Sequence, residues 1–529
     1  MQTKAHMEQT AATADCCCRS INLFCSLLRI GWYFIIAGFL SPAFSIASSP
    51  TEQIKTSRTW SSEIIYFVLI DRFADGDSSN NQLVQRKNPG GYHGGDLKGL
   101  TQHLDEISDL GATTIWINPM QKQVNRGFWA QAPAEIGTGS FEHWGFHGYW
   151  ADDFYRMEPQ FGTEADLKAL VDAAHNRGIK VLLDVVFNHA GYQSQYEKNP
   201  NTRHWLRNER LSCDADPIKC QVGGLPDFRT EDAEVRQYLL TAHIDLAKRT
   251  GIDGFRIDTA KHIEHEFLAQ LRARSRKELG NDFFLLGEVW GGDYQVLDEW
   301  FINDELDAGF DFSFRGNCHS YVKGKGRSIA FAAYLKKRHQ VRKGYHLAHY
   351  LSSHDEPLSL YELGYDKNKF RLCVALQMTT LGIPVIYYGE EVARSGSVWP
   401  TNRKNMPWGS RDIPPGKGAQ RDEALRDYYR KFISIRKLHP ALSRGDYQIL
   451  STKKDPLLVY ARHDDETGDV AIVAVNRTDK PIQTLIPKPE GLNSTMIRDA
   501  LVNNEIIDIK DNQIAIQVPA ETARLYLGM

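Results

Sequence analysis

The most constraining feature of this chain is a unit that recurs from about residue 60 over some 380 residues: an amphipathic helical stretch, a glycine, and a short apolar run. Gly111 precedes Thr113–Ile117, Gly178 precedes Lys180–Val186, and Gly251 precedes Gly254–Ile257. Gly280 precedes Phe283–Val289, and Gly382 precedes Pro384–Tyr388. Ile64–Ile70 reads as the first strand and Leu347–Ser352 as a later one. Thr163 and Asp166 form a capping-box pattern, after which Leu167, Leu170, Val171 and Ala174 follow helical spacing. Strands that are nearly all apolar are buried on both faces. The alternation predicts a parallel α/β barrel or an open doubly wound sheet, and spacing alone does not choose between them.

Three stretches break the rhythm. Residues 190–235 are polar, with Cys, Pro and Gly, and read as an excursion inserted into an α/β unit that spans 48–189 and 236–440. From 441 to 529 apolar residues alternate, as in Leu457–Ala461, Val470–Val475 and Ile514–Val518, which predicts an antiparallel β domain. At the N-terminus, no Asp or Glu occurs between Asp15 and Glu52. Arg19 and Arg29 precede an apolar run, Ile30 to Ala47, that ends in Ser45-Ile46-Ala47. That is the layout of a secretory signal cut after Ala47, giving a secreted or periplasmic protein with no lasting membrane association. The alternative is a retained anchor, for which the run is near the short end of the ~20 residues that span a bilayer. The leader holds Cys16, Cys17, Cys18 and Cys25, leaving Cys213, Cys220, Cys318 and Cys373. Cys213 and Cys220 close a short loop suited to a bridge, and Cys373 sits in an apolar helical pattern as a buried thiol. A net charge of −3 leaves no basic footprint, so nucleic acid is excluded as a partner class.

Asp184, Asp258, Glu288 and Asp355 share a position at or just past the end of an apolar strand. In a parallel barrel those ends converge on one face. Singly, each suits a helix cap or turn. Together, with Arg256, His189 and His354 beside them, they point to chemistry. Two carboxyl groups suffice for glycoside hydrolysis: one attacks the anomeric carbon and the other protonates the leaving oxygen. A retaining enzyme holds them ~5–5.5 Å apart. Arg256, two residues before Asp258, lies on the same side of its strand and would keep that carboxylate charged. The apolar Leu285-Leu286 before Glu288 would keep Glu288 protonated.

At these residues the chain resembles the α-amylase family of glycoside hydrolases. Asp184-Val185-Val186-Phe187-Asn188-His189 is similar to its first signature, and Gly254-Phe255-Arg256-Ile257-Asp258-Thr259-Ala260-Lys261-His262 to the second. Gly287-Glu288-Val289-Trp290 resembles the third and Ser353-His354-Asp355-Glu356 the fourth. Leu225-Pro226-Asp227-Phe228 and Gly382–Gly389 match minor signatures, all in the family's order. The resemblance implies a TIM barrel, with 190–235 as domain B and the C-terminal β-sandwich as domain C. It implies Asp258 as nucleophile, Glu288 as acid/base and Asp355 as a third carboxylate that steadies the transition state. His189 and His354 would hydrogen-bond the sugar, and Tyr149, in a motif with His147, would stack beneath it. Arg256, Lys261 and His262 complete the substrate site, Lys261 on the leaving-group side. Ser353 stands where the family usually has Asn, so a chloride site is not expected.

The resemblance also implies Ca²⁺, which prefers oxygen donors. One set is Asn188, Asp227 and His262, the last through its backbone oxygen. A second is Asp75, Asp77, Asn80, Asn81, Gly94 and Asp96, whose alternative reading is an ordinary Asp/Asn/Gly turn. Within the family, Lys261-His262 is similar to amylases and cyclodextrin-forming enzymes. Cyclising members place an aromatic where Gly223 stands and carry further C-terminal domains. Both differences favour an endo-hydrolase of α-1,4 links in starch, glycogen or maltodextrins, and a monomer is expected. The alternatives are an α-glucan transglycosylase and a non-catalytic carbohydrate-binding relative.

Overall fold

The computed structural model describes residues 59–451, 456–503 and 505–529, so the expected leader and its cleavage point lie outside the described residues. Eight short strands form the centre: β1 Ile65–Val68, β2 Thr114–Ile117, β3 Lys180–Val185, β4 Gly254–Ile257, β5 Phe284–Gly287, β6 Ala308–Phe310, β7 His346–Tyr350 and β8 Ile383–Tyr387. Each pairs in parallel with its sequence neighbours, and β1 pairs with both β2 and β8. That last pairing closes the sheet and decides for the barrel over the open sheet.

β6 was not foreseen. It is three residues long, flanked by Asp307 and Asp311, and too short to show a period. Its Gly309 is required by packing, because a Cβ there would lie 2.2 Å from Leu297 Cδ2. The expected strands exist, β2 and β4 ending where read and others, such as β5, stopping one or two residues earlier. β4 ends at Ile257 and β5 at Gly287, so Asp258 and Glu288 each open a turn at the barrel's rim. The helix Glu164–His175 carries the expected capping box and buries Leu167, Leu170, Val171 and Ala174.

Between β3 and the helix Ala233–Thr250 the chain makes only short helical turns, at Gln195–Lys198, Arg203–Trp205 and Val222–Gly224. Cys213 and Cys220 are bonded there, while Cys318 and Cys373 are buried free thiols. After β2, two antiparallel ribbons that the sequence pattern did not reveal stand on the same face: Gln121–Gln123 with Ala151–Met157, and Phe128–Gln131 with Ser140–His143.

The C-terminal region is an eight-stranded antiparallel sheet: β9 Asp446–Ile449, β10 Leu457–Asp464, β11 Asp469–Asn476, β12 Ile482–Pro487, β13 Met496–Asp499, β14 Ile506–Lys510, β15 Gln513–Val518 and β16 Thr522–Gly528. β15 alternates exposed and buried residues, as expected of a half-buried strand. β10 and β11 do not, because both faces are covered. Leu458, Tyr460, Ala471 and Val473 join the barrel's core, while Leu457, Val459, Ile472 and Ala474 join a second core with Ile514 and Ile516. Among the described residues, no helix is long and apolar enough to cross a membrane.

Candidate active site

Arg256 and Asp184 face each other across the β3–β4 register. Beyond the strand ends the ladder continues: the Asp258 amide donates to Val185 O at 2.9 Å and the Glu288 amide to Ile257 O at 2.9 Å. The barrel's own hydrogen bonding thus fixes where these side chains begin. Arg256 Nη1 donates to Asp184 Oδ1 (3.0 Å) and Asp258 Oδ1 (2.8 Å), and Nη2 pairs with Glu288 Oε1 at 2.9 Å. One buried guanidinium therefore gathers three carboxyl groups. Asp184 Oδ2 also accepts from Tyr149 Oη (2.7 Å) and Trp116 Nε1 (3.1 Å), so Asp184 is occupied with positioning. Thr259 has φ 49°, a left-handed conformation costly for a β-branched residue, and its amide donates to Glu288 Oε2 at 2.9 Å.

Asp355 reaches the same pocket from the β7 side. Its side chain is one-third exposed, whereas those of Asp258 and Glu288 are 10% exposed. It pairs with Arg403 Nη2 and His354 Nε2, each at 3.1 Å. Trp116, Trp290, Phe310, Phe312 and Tyr350 wall the pocket. Burial raises Glu288 to about 8, the charges of Asp258 and Asp355 add to it, and Arg256 opposes them. Partial desolvation opposes ionisation of Asp355, yet His354, Arg403 and Arg256 hold it below the usual carboxylate range. The arrangement supplies a proton donor at neutral pH beside carboxylates held by cations. That division of roles is what acid-assisted displacement needs.

The expected polar lining gathers unevenly. His147, His189 and His354 are buried and kept neutral by burial. His147 Nε2 and His189 Nε2 are buried without a hydrogen-bond partner, so both are free to meet a ligand. Tyr149 stacks on His354 with ring centroids 5.3 Å apart. Lys261 Nζ donates to Trp290 O at 3.2 Å. The His262 ring turns away to Pro217 O, at 2.6 Å, and does not join the carboxylates. Gly223 has φ 62°, and its carbonyl accepts from Tyr192 Oη at 2.5 Å. Arg403 and Trp116 were missed. Arg403 lies on the loop after β8, 48 residues from Asp355, and no spacing links the two.

The catalytic-domain model of the α-amylase family matches residues 67–210 and 213–429. The chain belongs to the α-amylase family. It is 29% identical to neopullulanase 2 of Thermoactinomyces vulgaris, over 96% of this chain and 87% of that protein. An α-amylase of Geobacillus thermoleovorans, solved with acarbose, is 30% identical and superposes with a TM-score of 0.74, covering 89% of this chain and 99% of that one. A cyclomaltodextrin glucanotransferase with a three-domain distribution is 26% identical with a TM-score of 0.74, covering 88% and 99%. Like the family, the chain is a glycoside hydrolase on a closed barrel with a C-terminal antiparallel sheet. The three-domain transferase removes one expected distinction, since further C-terminal domains do not separate cyclising members from this chain.

Both oxygen-rich clusters contain oxygen donors of the kind a hard cation takes. In the first, Asp227 Oδ1 is buried without a hydrogen-bond partner, and the His262 ring is engaged with Pro217, leaving its backbone oxygen as the donor. In the second, Asn80 Oδ1 and Asn81 Oδ1 are likewise buried and unpartnered. Asp96 accepts from the amides of Gly76, Asp77 and Gly99, and Asp75 Oδ2 from Asn81 Nδ2 at 2.8 Å. Asp77 pairs with Lys98, and Asp75 Oδ2 also accepts from Arg86 Nη2 at 2.6 Å. Gly94, at φ 96°, closes this cradle, for a Cβ there would lie 2.7 Å from Asn81 Oδ1. Among the described residues, one group of His and Cys ligand atoms also lies close together, Cys213, Cys220 and His262, but its two sulfurs are bonded to each other.

Proposed function

We propose that this chain is an endo-acting hydrolase of α-1,4-glucosidic bonds in starch, glycogen or maltodextrins that retains anomeric configuration. The observation that carries the reading is the single Arg256 guanidinium bonding Asp258 and Glu288 at one rim of the barrel. Asp258 attacks the anomeric carbon as the bond to the leaving oxygen breaks, and Glu288 gives that oxygen its proton. Glu288, now ionised, takes a proton from water, which displaces Asp258 from the sugar. Asp355 lies across the pocket as the third carboxylate, and Arg256 and Asp184 set the angle of the attacking group. His147, His189 and His354 would bond the sugar's hydroxyls, Tyr149 would stack on it, and Lys261 would serve the leaving-group side.

In this reading 48–189 and 236–440 form the catalytic domain A, 190–235 domain B and 441–529 domain C. Ca²⁺ is held by Asn188, Asp227 and the His262 backbone, and by Asp75, Asp77, Asn80, Asn81, Gly94 and Asp96; it supplies a fixed positive charge that joins segments. Residues 1–47 direct export, and the mature protein acts as a monomer. A transferring enzyme is the second reading. Tyr192, hydrogen-bonded to Gly223, sets an aromatic ring near the position where cyclising members carry theirs.

Reducing-sugar release from starch, maltoheptaose, pullulan and cyclodextrin tests the proposal. Glu288→Gln is expected to lose about 10²–10⁴-fold in rate, the contribution of a positioned acid. Wild type is expected to cut starch internally and leave short maltodextrins. If it releases no more sugar than Glu288→Gln from any of the four, the hydrolase reading fails. Cyclic products, or cyclodextrin cut faster than starch, would replace the endo reading by transfer or by ring opening.

A further inference from the structure

Asp227 lies on a short extended segment between two others. On one side it bridges His189, with the Phe228 amide donating to Asn188 O at 2.8 Å. On the other, Leu206 bridges Phe228 and the Arg207 amide donates to Asp227 O at 2.9 Å. The Arg207 side chain, 5% exposed, then turns back across this junction. Its Nε donates to Asp227 Oδ2 at 2.7 Å. Nη1 and Nη2 each donate to Glu231, at 2.6 Å, and Nη2 reaches Glu264 Oε1 at 3.3 Å. Glu264 also accepts from Thr230 Oγ1. Three carboxyl groups against one guanidinium leave a formal excess of two negative charges at the junction, and among the oxygens of these three carboxyl groups Asp227 Oδ1 is buried without a partner.

We propose that Arg207 is a positioning residue for calcium: its fork holds Asp227 by Oδ2 so that Oδ1 is presented, fixed in direction, to the ion. The inference rests on the calcium reading above and deepens it. It makes a prediction that opposes simple electrostatics. A positive charge beside a cation site should weaken it, and removing that charge should tighten binding. Partners that orient a ligand act in the other direction, and their loss costs about 10–100-fold in metal affinity. Geometry favours the second effect here. The guanidinium is already neutralised by Glu231 and Glu264, so little of its charge is left to repel an ion. The rotation of a buried carboxylate would by contrast be free without it. Because Asp227 shares its backbone bridge with His189, Arg207 also ties the ion site to the wall of the sugar pocket.

The test is calorimetric titration of the chelator-treated full chain with CaCl₂, comparing wild type with Asp227→Asn, Arg207→Gln and Arg207→Lys. Asp227→Asn identifies which class of binding belongs to the junction. Arg207→Gln is expected to weaken that class at least about tenfold while the class held by Asp75 and Asp96 keeps its affinity. Arg207→Lys keeps the charge but loses the planar fork, so it too is expected to weaken the junction class. It decides the matter if the Gln variant does not fold. Equal or tighter calcium binding in the Arg207 variants overturns the proposal and leaves the calcium reading intact. If Asp227→Asn removes no class that wild type shows, the calcium reading of this junction fails and the proposal with it.

Discussion

Arg256 is buried, yet its surroundings are crowded with acid: Asp184, Asp258 and Glu288 all bond it. Carboxylates this close repel strongly in a low dielectric, and one guanidinium cannot neutralise three. The site resolves this by keeping Glu288 protonated, with a pKa pushed to about 8 by burial. The alkaline limb of kcat/KM is therefore expected near pH 8, since the acid is lost as pH rises through that value. Asp355 behaves oppositely. Arg403 helps hold it below the usual carboxylate range, and the ionised form is present above its pKa and lost as pH falls through it. Arg403→Gln should raise that pKa and move the acid limb of kcat/KM upward by about one pH unit, leaving the alkaline limb in place. A pH–rate profile checks this, and an acid limb that stays where it was would refute the role given to Arg403. Arg256 and Asp258 were legible in sequence because a spacing of two on a strand puts both on one side. Arg403 was not, because its partnership with Asp355 exists only once the loop after β8 folds over β7.

At the scale of elements, the C-terminal sheet shares an apolar core with the barrel, and two arginines without carboxylates add buried polar contacts beside it. Arg462, on β10, donates to Thr379 O at 2.9 Å and to Gly445 O at 2.6 Å. Arg436 donates to Met378 O at 2.9 Å and Gly382 O at 2.7 Å. Met378 and Thr379 end the helix Lys367–Thr379, whose last carbonyls carry the negative end of its dipole. Burial lowers both arginines, to about 9 for Arg436 and about 10 for Arg462, which still leaves them charged at neutral pH. Arg462→Leu would strip donors from buried carbonyls and is expected to cost about 3 kcal/mol. A lower midpoint in denaturant would show it. Activity of the folded enzyme should be unchanged, because these contacts precede β8 and lie at the end of the barrel away from the carboxylates. An unchanged midpoint would sink the argument. None of this was visible in the alternating pattern after residue 440. Barrel strands such as β3 could be read because their apolar runs are bounded by glycine. β10 and β11 look alternating only in part, since each faces two cores. The ribbons after β2 escaped notice because their strands are mostly three or four residues long and carry no regular apolar-polar alternation.

For the molecule as a whole, the two oxygen-rich clusters stand in series with the barrel's rim. Asp75 to Asp96 follows β1, Asn188 follows β3, His262 follows β4, and Asp227 comes from the excursion between the last two. An ion in either cluster would add a further link between segments already joined by hydrogen bonds, and the two clusters share no residue. Their contributions should therefore add. Binding confined to the folded state stabilises by about 2.7 kcal/mol when calcium is a hundredfold above its Kd. A kilocalorie moves Tm by about 2–4 °C in domains of 150–250 residues, and by less in a longer chain. Saturating calcium is accordingly expected to raise Tm by about 5 °C over a chelated control, measured by scanning calorimetry. Asp96→Asn and Asp227→Asn should each remove part of that gain, and the double variant all of it. The same variants separate structural from catalytic effects. Asp96 caps the helix Leu97–Gln102 through Gly99 N and touches none of the pocket, so its loss should lower Tm without moving either limb of the pH profile. If calcium and chelator give the same Tm in wild type, the unpartnered oxygens of Asn80, Asn81 and Asp227 must be answered by water, and the metal reading falls for both clusters at once.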